Sequence, residues 1–439
     1  MHLLRFLCVI LLLGQALATK AGALSLLRDP DIEHALSLLA APVLKGAGLG
    51  ASGTDILIID DNSLNAFVVD RSAIFLHSGL LLKMQDAAML QAVLAHEAAH
   101  IANGHLVRRP IAIRNARTAA GLGAILAGAA AAASGRGDVV GAVALGAQTT
   151  ALRLLFAHTR AEENAADQSG MRFLANAGID PQGMVRVMDI FRGQETLSEA
   201  RQDPYSRTHP LSADRFRVLQ RLASGYAPQS GTSTEHAYWF ARAKAKLSAF
   251  ERSPKWTLNR AGEYGYEDIK LMRQAIAHHR QSNLRKSLPA IDAAIALRPR
   301  DPYYHELRGQ ILMESRQIKP AVTAYARASA LAPDNALILG AYGRALLADG
   351  QTGAATQVLE KARARDGRDG RVLRDLAAAH AKQGNTGMAS VLTAERYAML
   401  GRLKDAGIHA RRASDLLPRG SGAWQRAQDV LSAVKVAEK

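Results

Sequence analysis

Cysteine is all but missing from these 439 residues: the single one, Cys8, lies inside an N-terminal apolar run. Removal of that run leaves no disulfide framework and no thiolate metal ligand. Aromatic residues are scarce at 5%, and no basic strand interleaved with aromatics occurs, which sets nucleic acid aside as a partner. Acidic residues are in the minority. Net charge is +16, and residues 266–439 hold 28 Lys/Arg against 17 Asp/Glu, a surface suited to anionic lipid headgroups, lipopolysaccharide or acidic proteins. Long hydrophobic runs are also lacking. The N-terminal one, Phe6 to Leu13, is too short to span a bilayer. With Arg5 before it and Ala16-Leu17-Ala18 after it, it reads as a secretory signal peptide cleaved after Ala18.

Alanine-rich helices packed through small residues are what remains. The length exceeds one compact core, so two or three domains are expected. Residues 55–77 show three β-rich runs, Asp55–Asp60, Leu64–Val69 and Ser72–His77, predicted to form a small meander. A helix is expected from the N-cap Asp86 to the stop signal Asn103-Gly104. Residues 118–155, nearly uncharged and broken by Ser134-Gly135-Arg136-Gly137-Asp138, suggest a helical hairpin. Its arms are short for spans, so it reads as buried or lid helices, with a membrane-touching hairpin as the alternative. Further helices are expected at 157–176 and 181–193.

From about 266 a period of 34 residues sets in. Gly309, Ala321, Tyr325, Ala328 and Pro333 fall at tetratricopeptide offsets, and Gly343, Ala355, Leu359 and Ala362 repeat them. Ala275, Ile291, Ala294 and Pro299 fit upstream. Downstream, Ala394, Tyr397, Ala406, Ala410, Ala413 and Pro418 fit after a one-helix slip at 370–385. Small residues let the two helices of each hairpin approach, and stacked hairpins form a superhelix.

The chemistry centres on His96-Glu97-Ala98-Ala99-His100 within AVLAHEAAHIANGH. On a helix, residues four apart share a face, so both imidazoles can reach one metal, with Glu97 beside them to take a proton from water. A catalytic zinc also needs a third protein ligand and an open position. Glu163 and Asp167, again four apart, supply a candidate His-His-Glu set plus a carboxylate to hold the second nitrogen of a ligand imidazole. Glu162 competes for the ligand position, one residue and about 100° away.

HExxH, the following NGH, the TR-x-x-E-x-x-A-D segment around Glu163 and the Thr208-His209-Pro210 stretch together resemble the HtpX and CAAX prenyl endopeptidase family of zinc metalloproteases. A signal peptide and a tetratricopeptide array make the likeness greatest to its periplasmic BepA-type members. The resemblance implies that His96, His100 and Glu163 bind one Zn²⁺ per chain, with Asp167 behind them and Glu97 as the base. It places His209 at the active site, as transition-state stabiliser or metal cap, accompanied by the basic Arg215. Asn65, Ala66 and Phe67 would form the edge strand that pairs with extended substrate, and His105 is structural. Val68-Val69-Asp70-Arg71-Ser72 lacks the family's proline and glycines, which puts the following turn in question.

The resulting expectation is a mostly α protein: a signal peptide at 1–18, an α+β zincin-like protease domain with a small β-sheet at 19–230, a helical linker at 231–265 and a tetratricopeptide α-solenoid at 266–439. Its implied role is a periplasmic zinc endopeptidase acting on misfolded or stalled outer-membrane proteins. Its array would dock onto the assembly machinery, and 118–155 is a candidate peripheral membrane contact. The rival reading is an assembly chaperone or adaptor with a normally latent protease site.

Overall fold

The structure, a computed structural model, describes residues 25–50, 53–106, 160–198, 201–226 and 233–437. The expected signal peptide and the 118–155 hairpin lie outside these residues. Two compact units are present, Leu26–Arg365 and the segment from Asp366 onward.

In the larger unit, β1 (Leu26–Leu27) leads into α1 (Pro30–Gly46), capped by Asp29, whose carboxylate accepts from the backbone N–H groups of Asp31 and Ile32. Strands β2 (Asp55–Ile59), β3 (Ala66–Asp70) and β4 (Ala73–His77) follow. They are not a meander. The order is β1-β2-β4-β3, with β4 parallel to β2 and antiparallel to β3. β4 carries the most buried side chains on both sides of the pleat, so it takes an interior position, while half-exposed β3 goes to the edge. The turn after β3 forms without proline or glycine: Asp70 Oδ1 accepts from Ser72 N at 2.7 Å, a side-chain turn that substitutes for them.

Helix α2 (Ser78–Lys83) precedes α3 (Ala87–Ala102). α3 begins where Asp86 accepts from Met89 N at 2.9 Å and ends at Asn103, with Gly104 in the left-handed region at φ 72°. Nearly all of its residues are buried, as an uninterrupted apolar sequence requires. Helix α4 (160–176) packs so closely on it that a Cβ on Gly170 would lie 3.3 Å from the Ala95 carbonyl. α5 (Gln182–Ile190), α6 (Pro204–Thr208) and α7 (Ala213–Ser224) complete this part.

Helix α8 (Thr234–Glu251) is the expected linker, and it belongs to two cores. Phe240, Ala243 and Leu247 pack with α1 and α3, while Tyr238, Ala241, Ala245 and Ala249 pack with the repeats. Fully buried Arg242 joins Asp31 of α1, at 2.8 Å, to Asp301; Lys246 lies 2.8 Å from Asp29. After α9 (Pro254–Asn259), helices pair as α10 (Glu267–Arg280) with α11 (Leu284–Leu297), α12 (Pro302–Glu314) with α13 (Ile318–Leu331), and α14 (Ala336–Ala348) with α15 (Thr352–Arg365). Gly309 abuts the Tyr325 ring and Gly343 abuts Leu359, the small-to-large contacts that the 34-residue period implied.

In the second unit α16 (Gly370–Lys382) precedes α17 (Thr386–Met399), which pairs most extensively with α18 (Leu403–Leu416), and α19 (Gly422–Ala437) follows. Ala394 of α17 and Ala406, Ala410 and Ala413 of α18 are fully buried, so these two helices take the places of the first and second helix of a repeat, and the expected one-helix slip at 370–385 is present, with α16 as the extra helix.

Candidate metal centre

α3 places His96 and His100 one turn apart with their Nε2 atoms 3.1 Å from each other. α4 brings Glu163 against them, at 3.2 Å from His96 Nε2 and 3.4 Å from His100 Nε2. From α6 the chain turns at His209, whose Nδ1 stands 3.0 Å from Glu163 Oε2 and 3.2 Å from His96 Nε2. Donor atoms of His96, His100, Glu163 and His209 all lie within 4.8 Å of one another, and all four residues are buried. Glu162, the competitor for the ligand position, is not among them.

A second layer orients these groups. Asp167 Oδ1 is 2.9 Å from His96 Nδ1, which keeps the proton on Nδ1 and the lone pair on Nε2 toward the centre. His105 plays the corresponding part for His100, with the two Nδ1 atoms 2.9 Å apart. Arg215 donates to both Asp167 oxygens at 2.6 and 2.8 Å, and its Nη1 lies 3.1 Å from Glu163 and donates to the Pro210 carbonyl.

Burial opposes charge on His96, yet Asp167 and Glu163 outweigh it and push its pKa up to about 10. Burial brings His100 down to about 3. Burial also works against the Glu163 carboxylate, but His209, His100 and His96 hold it well below the usual range. Asp167 too is held low, by Arg215 and His96 against its burial. Two buried carboxylates that draw positive charge onto His96 form a site that favours a cation, and nitrogen donors with one carboxylate suit zinc. The residues present fit that ion.

Glu97 is 1% exposed. Neither carboxylate oxygen accepts a hydrogen bond from the described residues, and Oε1 lies 3.4 Å from His209 Nε2. His209 thus faces the donor set through one ring nitrogen and Glu97 through the other. Of the expected substrate edge, Ala66 is in the core, Phe67 stacks on Phe75 with ring centroids 5.3 Å apart, and Asn65 is buried with its Oδ1 lacking a partner. β3 is an edge strand among the described residues. A cavity of about 350 Å³ opens beside the α6 segment, lined by Phe191, Ser206, Arg207, Pro210 and their neighbours.

Sequence reasoning missed Tyr205. Its ring lies between Phe191 and His209, at centroid distances of 4.8 and 4.6 Å. Burial and then the nearby Glu97 carboxylate raise its pKa well above the usual tyrosine value. The one available signal was its position four residues before His209.

Residues 27–223 match the model of Peptidase family M48. The chain is 25% identical over 401 residues to the beta-barrel assembly-enhancing protease of Escherichia coli (strain K12), covering 88% of this chain and 79% of that one. It is 28% identical over 203 residues to the mitochondrial metalloendopeptidase OMA1 of Danio rerio, 44% of this chain and 41% of the relative. Among solved structures it aligns with YrrB, a TPR protein, at 13% identity and TM-score 0.33, covering 39% of this chain and 91% of that one.

Proposed function

Residues 27–223 are a peptidase family M48 domain, and from that premise we propose that the chain hydrolyses internal peptide bonds at a zinc site made by His96, His100 and Glu163. The observation that carries the reading is the convergence of these donors around Nε2 of His96, with Glu97 on the same helix and no competing hydrogen bond on its carboxylate. Zinc at such a site contributes Lewis acidity toward water and the scissile carbonyl. Glu97 takes the proton of the attacking water and returns it to the leaving amine. His209 stabilises the charge developing on the carbonyl oxygen once it is free of the donor set. Asp167, His105 and Arg215 hold the ligands in place.

The chain's likeness to a protease named for β-barrel assembly supports substrates that are misfolded or stalled outer-membrane proteins, encountered in the periplasm after secretion through the 1–18 signal. The helical array would dock the enzyme on client or assembly machinery. Contact of 118–155 with a membrane surface belongs to the same reading. No helix among the described residues is long and apolar enough to cross a membrane.

A latent resting state is favoured by one specific observation: Glu97, His209 and every candidate ligand are buried. Substrate therefore enters only when the segment carrying His209 moves. The test of the activity is Glu97→Gln, which is expected to bind zinc as wild type does and to leave unfolded protein uncut. Undiminished cleavage by this variant would remove Glu97 from the mechanism.

A further inference from the structure

Resting on the endopeptidase reading above, we infer that Tyr205 is a further catalytic residue beside Glu97 and His209. Its phenol donates a hydrogen bond to the scissile carbonyl oxygen as that oxygen gains charge. The side chain is 1% exposed and its hydroxyl has no hydrogen-bond partner among the described residues. A buried donor left unpaired destabilises the fold, and phenylalanine would fill the same space without that penalty. The hydroxyl therefore has no use in the resting structure. It does not donate to Glu97, whose carboxylate oxygens accept no hydrogen bond.

Position supplies the use. His209 N donates to the Tyr205 carbonyl at 2.7 Å and the two rings are in contact, so the phenol keeps its place relative to His209. That imidazole lies 3.4 Å from the base Glu97. Tyr205 N also donates to the Leu64 carbonyl at 3.1 Å, which ties it to the head of the β3 edge strand. Next to Leu64, Asn65 presents a buried acceptor, Oδ1, that is also unpaired. An orphan donor and an orphan acceptor on these two hydrogen-bonded segments match the C=O and N–H that a peptide brings.

In the reaction the water oxygen bonds to the carbonyl carbon and its proton passes to Glu97. The carbonyl π electrons move to the oxygen that Tyr205 and His209 face. The C–N bond then breaks, Glu97 delivers the proton to the amine nitrogen, and Tyr205 keeps its own proton throughout.

The experiment is Tyr205→Phe in the full zinc-loaded chain, assayed with an internally quenched peptide beside wild type and Glu97→Gln. The expected result is a kcat lower by about ten- to a hundredfold, as for loss of one oxyanion donor, with KM within about twofold, since the contact forms only in the transition state. Zinc content and melting temperature should equal or exceed those of wild type. A kcat within twofold of wild type overturns the inference, and so does a variant that loses zinc or melts early. If wild type and Glu97→Gln cleave alike, the endopeptidase reading itself fails. If only Glu97→Gln is dead, Tyr205 alone is misassigned.

Discussion

Arg215 grips Asp167 with two hydrogen bonds, at 2.6 and 2.8 Å, in the layer directly behind His96. Its Nη1 reaches Glu163 at 3.1 Å, so one guanidinium holds both carboxylates contributed by α4. A lysine keeps the charge but not the planar fork. Arg215→Lys should therefore lower zinc affinity roughly ten- to a hundredfold, as loss of an outer partner typically does, with little change in far-UV circular dichroism. Arg215→Met removes the guanidinium from two buried carboxylates and should cost about 3–5 kcal/mol of stability. Competitive zinc titration and urea unfolding measure the two effects.

Asp268 of α10 accepts from Tyr238 at 2.7 Å and from Tyr304 at 3.0 Å, with Arg298 alongside. Burial opposes its charge, yet these partners keep its pKa below the usual aspartate value. A depressed folded pKa means that the ionised form stabilises the fold. That contribution is complete above the unfolded pKa of about 3.9 and is lost as pH falls through the lower folded value. Wild type should be more stable than Asp268→Asn at pH 7, and the gap should close below about pH 4. Urea midpoints at pH 7, 4 and 2.5 test the sign.

Two glycines in the third helical pair should respond in opposite directions. A Cβ on Gly343 would lie 2.5 Å from Leu359 Cγ, whereas nothing lies within 4 Å of one on Gly353. Gly343→Ala should destabilise by about 1–3 kcal/mol through overpacking. Gly353→Ala, at an ordinary helical position, should stabilise by about 0.4–1 kcal/mol. Thermal unfolding of the two variants distinguishes packing from backbone entropy.

The local features were legible in the sequence because they depend on neighbours a few residues apart. Asp86 and Asn103-Gly104 bounded α3, the HExxH spacing put both histidines on one face, and Glu163 with Asp167 shared a face of α4. The structure brings all four together with Glu97 and His209. What stayed hidden depends on distant pairings. Three short β runs do not state their spatial order, so the parallel pairing of β2 with β4 was read as a meander. Reading 231–265 as a helical linker did not reveal that α8 meets a different core on each side. The bond from Arg242 to Asp31 spans 211 residues of sequence, and no periodicity reports it. Tyr205 was missed for a chemical reason: a single tyrosine in a polar stretch acquires meaning only when its ring is found against His209 with its hydroxyl buried.

The central claim is that a zinc ion is held by His96, His100 and Glu163 while Glu97 acts on water without binding the metal. Metal analysis of wild type, Glu97→Gln and Glu163→Ala, purified identically and dialysed against trace zinc, tests it most directly. The account predicts one zinc per chain in wild type and in Glu97→Gln, and loss of bound zinc in Glu163→Ala. Full zinc occupancy in Glu163→Ala would contradict it, as would zinc lost from Glu97→Gln.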